Sequence, residues 1–291
     1  MAGVESTVFG VLLACLASFL FNGGIALQAL EAREVPPEHG LRLSLIGQLV
    51  RRRRWLAGTG LNALALPTQT AALLLAPLTA VQPADAAGLL LLLFLGSRML
   101  GERVGRLELA AVVALAGGIV LLTAAAPKRH VTYISGVDVL IPLLVVAMLA
   151  LAPLALRRVT GPDSIVVVLG AGFAFAFTAF MVKLAADAID EGEPLHLIAA
   201  VGVAGAGAVV GMLSEQTALQ RRPATKVAPV IFVIELLVPV LLAVIVVGEN
   251  WGGSVGLIVV AIAVIVAAAV VLTRAPQVAG LLEADAEKEP V

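Results

Sequence analysis

Long apolar blocks divide this chain, and polar residues gather in the short intervals between them. The runs Val8–Leu30, Trp55–Ala76, Thr79–Arg98, Leu107–Ala125, Ile134–Leu156, Ser164–Ala185, Leu195–Gln216, Val227–Val247 and Gly252–Thr273 each approach the roughly 20 residues that a helix needs to cross a bilayer. They predict nine transmembrane helices, with ten allowed by the shorter run Leu41–Val50. That run falls below the ~17 residues of a full crossing, so a surface-lying or re-entrant piece is expected there. Asn22-Gly23-Gly24 interrupts the first run, and only Glu5, with no Lys or Arg, precedes it. A cleaved signal peptide would carry a positive leader, so an uncleaved first helix is expected.

Two of the blocks repeat each other. Pro77–Glu102 carries Gln82, Pro83 and Asp85 and ends in Leu100-Gly101-Glu102; Ala224–Glu249 carries Pro229, Glu235 and Pro239 and ends in Val247-Gly248-Glu249. Superposing them matches Gln69 with Gln216, and one further apolar run follows each copy. The expected fold is an all-α polytopic membrane protein built of two helical units in inverted orientation. Residues 1–125 form the first unit of four helices, with an Arg-rich loop at 31–54. Residues 126–160 supply a linking fifth helix, 161–273 the second unit of four, and 274–291 a solvated, disordered acidic tail.

Composition removes the soluble alternative. The chain is 60% hydrophobic and 13% charged, against about a quarter charged in soluble globular proteins. The formal charge of −1, with basic residues dispersed at block borders, argues against a nucleic-acid partner. The single cysteine, Cys15, excludes an internal disulfide and reads as a small buried side chain. Sixteen of the nineteen basic residues fall on one side if helices alternate direction, which predicts a cytoplasmic C-terminus and an external N-terminus in a plasma membrane.

Few polar residues interrupt the blocks. Glu235 lies near the centre of the eighth predicted helix, where a lipid-facing carboxylate is costly, so it is expected to face a bundle interior and to titrate or bind a cation. Asp85 is either a vestibule acid or a first-turn acid beyond Pro83. Gln69, Gln216, Asn22 and Asn62 can each donate and accept hydrogen bonds to a polar solute, or can hold helices together. Pro67, Pro83, Pro229 and Pro239 are candidate helix breaks. Glu215 lies near a helix end, where solvation accounts for it. Gly202, Gly205, Gly207 and Gly211 thin one helix for close packing, and Glu102 and Glu249 serve as repeat markers. His39, His130 and His196 belong to no compact metal-ligand pattern. No metal site is assigned; Asp85 and Glu235 are the candidates if a cation is carried.

From Trp55 to Glu102 and from Gln216 to Glu249, with their paired helix-Gly-Glu endings, the chain resembles the drug/metabolite transporter superfamily, including its EamA-like branch. The resemblance implies alternating-access movement of small metabolites or drugs by two inverted units. In layout the chain is closer to the NIPA-like magnesium transporters, matching at Trp55, Ala76-Pro77 and Val81-Gln82-Pro83. Leu66-Pro67 stands where that group leads one to expect an acidic-polar pair, and Gln69 where it tends to have Asn.

The expected function is secondary transport of a small solute, proton-coupled through Glu235. Divalent-cation transport is the alternative, and a non-transporting scaffold the third. No enzymatic activity and no cofactor are expected. The partners are a small-molecule or ion substrate and the lipid bilayer, with a homodimer as one allowed assembly.

Overall fold

The computed structural model describes residues 4–76, 78–102, 104–125, 137–161, 164–190, 192–247 and 255–273; within them, some side chains lie outside the description, notably those of 78–80, 82–87 and 239–247. The described residues are helical, without a strand. The helices are α1 (Val4–Arg33), α2 (Leu43–Leu49), α3 (Arg53–Leu75), α4 (Leu78–Met99), α5 (Arg106–Ala125), α6 (Val137–Thr160), α7 (Ile165–Asp190), α8 (Pro194–Arg221), α9 (Ala224–Val247) and α10 (Val255–Thr273). Lipid offers the backbone no hydrogen-bond partners, so helices that satisfy their own N–H and C=O groups are what such apolar blocks form. Four of them, over Ser6–Arg33, Leu140–Val159, Ile165–Val182 and Pro194–Arg221, are clearly long and apolar enough to span a membrane. The seven residues of α2 reach only ~10 Å at ~1.5 Å per residue and cannot cross.

Helix boundaries follow local chemistry. The residue before a proline is pushed into extended conformation. Ala76, before Pro77, therefore closes α3 at φ −134°, ψ 147°, and Arg222, before Pro223, closes α8 at φ −123°, ψ 151°. Within helices the prolines act differently than their sequence positions suggest. The helical backbone continues through Pro67, Pro83, Pro229 and Pro239, so none of the four unwinds its helix. Thr68 and Thr70, next to Pro67, donate their hydroxyls to the Leu64 and Leu66 carbonyls within α3. Asn22-Gly23-Gly24 likewise lies inside the continuous α1.

Packing follows a pattern that occurs twice. α1 lies against α3 and α4, and α4 against α5; α7 lies against α8 and α9, and α9 against α10. The two sets meet where α5 packs on α10 and α4 on α9, while α6 packs on α7. Small residues set the closest approaches. Gly24 and Gly58 face each other across α1 and α3, so that a Cβ on Gly58 would fall 2.7 Å from the Gly24 carbonyl oxygen. On α8, a Cβ at Gly207 would meet Thr178 and one at Gly211 would meet Phe175, both on α7, whereas at Gly202 and Gly205 it would meet nothing within 4 Å among the described residues. Only half of that glycine set therefore serves the close approach. The main core joins α1, α4, α5, α7, α8, α9 and α10 through Leu92, Leu115, Ile119, Val167, Leu219 and Ile265, all fully or almost fully buried. Cys15, by contrast, is exposed on α1 rather than buried.

Candidate functional site

One end of the bundle gathers most of its described charged contacts. Gly101, at φ +64°, adopts a left-handed turn that suits glycine and ends α4. The turn returns the Glu102 N–H to the Gly96 carbonyl at 3.0 Å and aims the Glu102 side chain at the start of α9. There the Glu102 carboxylate accepts hydrogen bonds from the Ala224 N–H (2.7 Å), the Thr225 N–H (3.0 Å) and the Thr225 hydroxyl (2.6 Å), and pairs with the Arg33 guanidinium. The first N–H groups of a helix have no partner within it, and a carboxylate there also meets the positive pole of the helix dipole. Glu102 is thus a cap supplied by a different helix, beyond the marker role its position in the repeat suggests. Arg33 also donates to the Leu100 carbonyl at 3.1 Å, and the buried Lys226 pairs with Glu108 at 2.6 Å. The ends of α1 and α4 and the starts of α5 and α9 are therefore held together.

A second polar chain lies slightly deeper. Trp55 donates its indole N–H to Gln216 Oε1 at 3.1 Å, Gln216 Nε2 donates to Gln28 Oε1 at 3.2 Å, and Gln28 Nε2 donates to the Thr59 hydroxyl at 3.1 Å. Gln216 is fully buried, and its amide is engaged in holding α8 to α1 and α3. Gln69 lies partly buried on α3, in the same relation to the first copy of the repeat. Asn22 is buried on α1 and donates to the Ser18 carbonyl at 2.9 Å, while Asn62 Oδ1 is buried against Gly24 without a hydrogen-bond partner among the described residues.

The carboxylates occupy the interior of the second helical set. Glu235 is the twelfth of the 24 residues of α9, half-way along the helix and partly buried. Glu215, on α8, stands within electrostatic reach of it. Glu215 is therefore not a solvated helix-end acid: it sits six residues, or ~9 Å, inside α8, and partly buried. Neither carboxylate forms a hydrogen bond or ion pair among the described residues. An acid at a helix centre in lipid costs about 2.5–3.5 kcal/mol on insertion scales, and such residues characteristically face a polar path. Two of them can share a proton or face a cationic group.

The Asp85 side chain, with those of Pro83 and Pro239, lies outside the described residues, as do Glu249, Lys128 and Arg129. Among the described residues no three His, Cys, Asp or Glu side chains are placed to hold a metal ion. His39 contacts Ser44 at 2.8 Å and Gln48 at 2.7 Å, and His196 lies 3.1 Å from Glu193 at the surface. Sequence reasoning assigned Glu215 to solvent and passed over Gln28 and Thr225; for Glu215 and Gln28, the available signal was a polar side chain within an otherwise apolar turn. Comparison with protein-family models, with curated proteins and with solved structures returned no match for this chain.

Proposed function

We propose that the chain is a secondary transporter of the drug/metabolite transporter kind, moving a small solute across the plasma membrane by alternating access with protons as the coupling ion. The observation that carries this reading is the placement of two partly buried acids in the second helical set, Glu235 half-way along α9 and Glu215 within α8, neither carboxylate with a hydrogen-bond or ion-pair partner among the described residues. Acids within a membrane bundle characteristically mark proton or ion paths, and a proton exchanged between such an acid and water is a natural coupling step. A purely structural bundle would gain nothing from holding them there.

Two further observations support the reading. The packing of α1, α3, α4 and α5 is repeated by α7, α8, α9 and α10, and α4 ends where α9 begins, so the sets are read as units of opposite direction with α6 between them. The Glu102 cap and the chain from Trp55 to Thr59 join the two sets at the arginine-rich end, taken here as cytoplasmic. Those contacts close one mouth of a path and would have to part for it to open.

Purified protein in liposomes, with an imposed proton gradient and a panel of small cationic and uncharged solutes, tests the proposal. Gradient-driven uptake or efflux of at least one solute, abolished by Glu235→Gln with the fold intact, is the expected result. Unchanged coupled transport in that variant removes Glu235 from the mechanism, and no flux of any solute favours a scaffold. Mg²⁺ flux in the same vesicles tests the divalent-cation alternative.

A further inference from the structure

A cavity of about 460 Å³ opens at the arginine-rich end, where the loop before α2 meets the ends of α6 and α8. Among the described residues its charged lining is Arg42, Arg157, Arg158 and Arg221 against one acid, Glu38. Two of the contributing elements are helix C-termini, each of which brings about half a negative charge. Among the described residues, Arg42, Arg157 and Arg158 by themselves outweigh Glu38 and both helix ends, so the described lining is positive. The side chains of Arg42, Arg157 and Arg158 make no hydrogen bond or ion pair among the described residues, whereas nearby Arg33 and Arg52 are paired with Glu102 and Glu31.

The loop that carries Arg42 is held in place. Leu41 has φ +55°, a left-handed conformation unusual for a branched residue, and its N–H donates to the Thr217 hydroxyl at 2.9 Å. Gln220 Nε2 donates to the Val35 carbonyl at 3.1 Å, so α8 fixes both sides of the loop. Strain of this kind persists only where surrounding contacts impose it. The arginines from three separate elements are thereby presented to one space.

We propose that this cavity binds the phosphate group of an anionic phospholipid. Arginine forms paired, planar hydrogen bonds with phosphate oxygens, and several guanidinium groups around one cavity suit a phosphodiester better than a single carboxylate. The lipid source is favoured by position. Arg157 and Arg158 lie near the end of the membrane-spanning stretch Leu140–Val159, at the level where headgroups sit. Beside them Val159 is 84% exposed, and Leu43, next to Arg42, is 69% exposed, which gives apolar surface for the start of an acyl chain.

The test measures retained lipid by native mass spectrometry after exchange of the full-length protein into nanodiscs containing either phosphatidylglycerol or phosphatidylcholine. The expected result is preferential retention of phosphatidylglycerol, reduced on the order of tenfold in the R157Q/R158Q double variant and also reduced in R42Q, with unaltered melting in neutral lipid. A second arm titrates inorganic pyrophosphate into protein in phosphatidylcholine nanodiscs and follows the melting temperature. A stabilisation lost in R157Q/R158Q, without any phosphatidylglycerol preference, retains phosphate recognition at the cavity but overturns the lipid as its source. Equal phosphatidylglycerol retention by the parent protein, R157Q/R158Q and R42Q overturns the proposal. Neither result depends on transport, so the proposal can fail while the transport reading stands.

Discussion

The Glu102 carboxylate accepts both the backbone N–H and the hydroxyl of Thr225, at 3.0 and 2.6 Å, across 123 positions of sequence. Because Glu102 follows α4 and Thr225 opens α9, this contact ties the first helical set to the second at one end. Glu102→Ala removes the acceptor and strips Arg33 of its partner, a change that costs about 3–5 kcal/mol for a buried pair. Thr225→Val removes one hydrogen bond to a charged group, about 1.5–3 kcal/mol. Thermal unfolding in detergent should rank Glu102→Ala well below Thr225→Val, and equal melting temperatures would show that the carboxylate is not the shared acceptor.

Gln216 is the middle of a hydrogen-bond chain, and its replacement should affect partners on two other helices. Gln216→Leu leaves the Trp55 indole N–H and Gln28 Oε1 buried and unpartnered, at about 1–3 kcal/mol for each group. In a Trp251→Phe background, the Trp55 emission should shift in this variant. An unshifted spectrum with unchanged stability would contradict the chain.

Glycines on the helix surfaces fall into two classes. At Gly88 a Cβ would fall 2.5 Å from Asn22 Nδ2 and collide with Ser18, whereas at Gly202 it would meet nothing within 4 Å. Gly88→Ala should therefore destabilise by about 1–3 kcal/mol through overpacking. Gly202→Ala should lie within about 0.5 kcal/mol of the parent. Denaturation of both variants in the same detergent decides the matter.

Glu215 and Glu235 are expected to work as a pair. Glu215→Gln should retain solute binding but change the pH dependence of coupled transport, because only one of the two acids in the second helical set remains. Glu235→Gln should abolish coupling. A Glu215→Gln profile that overlays that of the parent protein, measured in liposomes across pH 5–9, would leave Glu235 acting alone.

The direction of the helices is open to labelling. In a Cys15→Ser background, single cysteines at Arg51, Arg106 and Arg158 should react with an impermeant reagent from the same face. A cysteine at Glu193, at the other end of the 28-residue α8, should react from the opposite face. Any of the first three labelling with Glu193 would break the proposed alternation.

The apolar character and positions of the long helices, and the short length of the segment around α2, are written in local stretches of sequence. Hydropathy adds over neighbouring residues, and a run is either long enough to cross or is not. The prolines after Ala76 and Arg222, and Gly101 with its left-handed turn, also mark helix ends through the conformations of single residues. Partnership between residues is different in kind. Gln216 meets Gln28 across 188 positions, and Glu102 meets Thr225 across 123, so no window of sequence contains both members of either pair. The prolines inside α3, α4 and α9 were read as breaks because one lost backbone bond was weighed without the neighbouring turns and helices that keep each helix continuous. Tertiary packing alone decided that Glu215 is drawn into the bundle rather than solvated, that Gln216 is consumed in a buried chain, and that arginines from three elements share one cavity. The physical reason is that polar groups withdrawn from water must find their partners in space, wherever the chain has brought them.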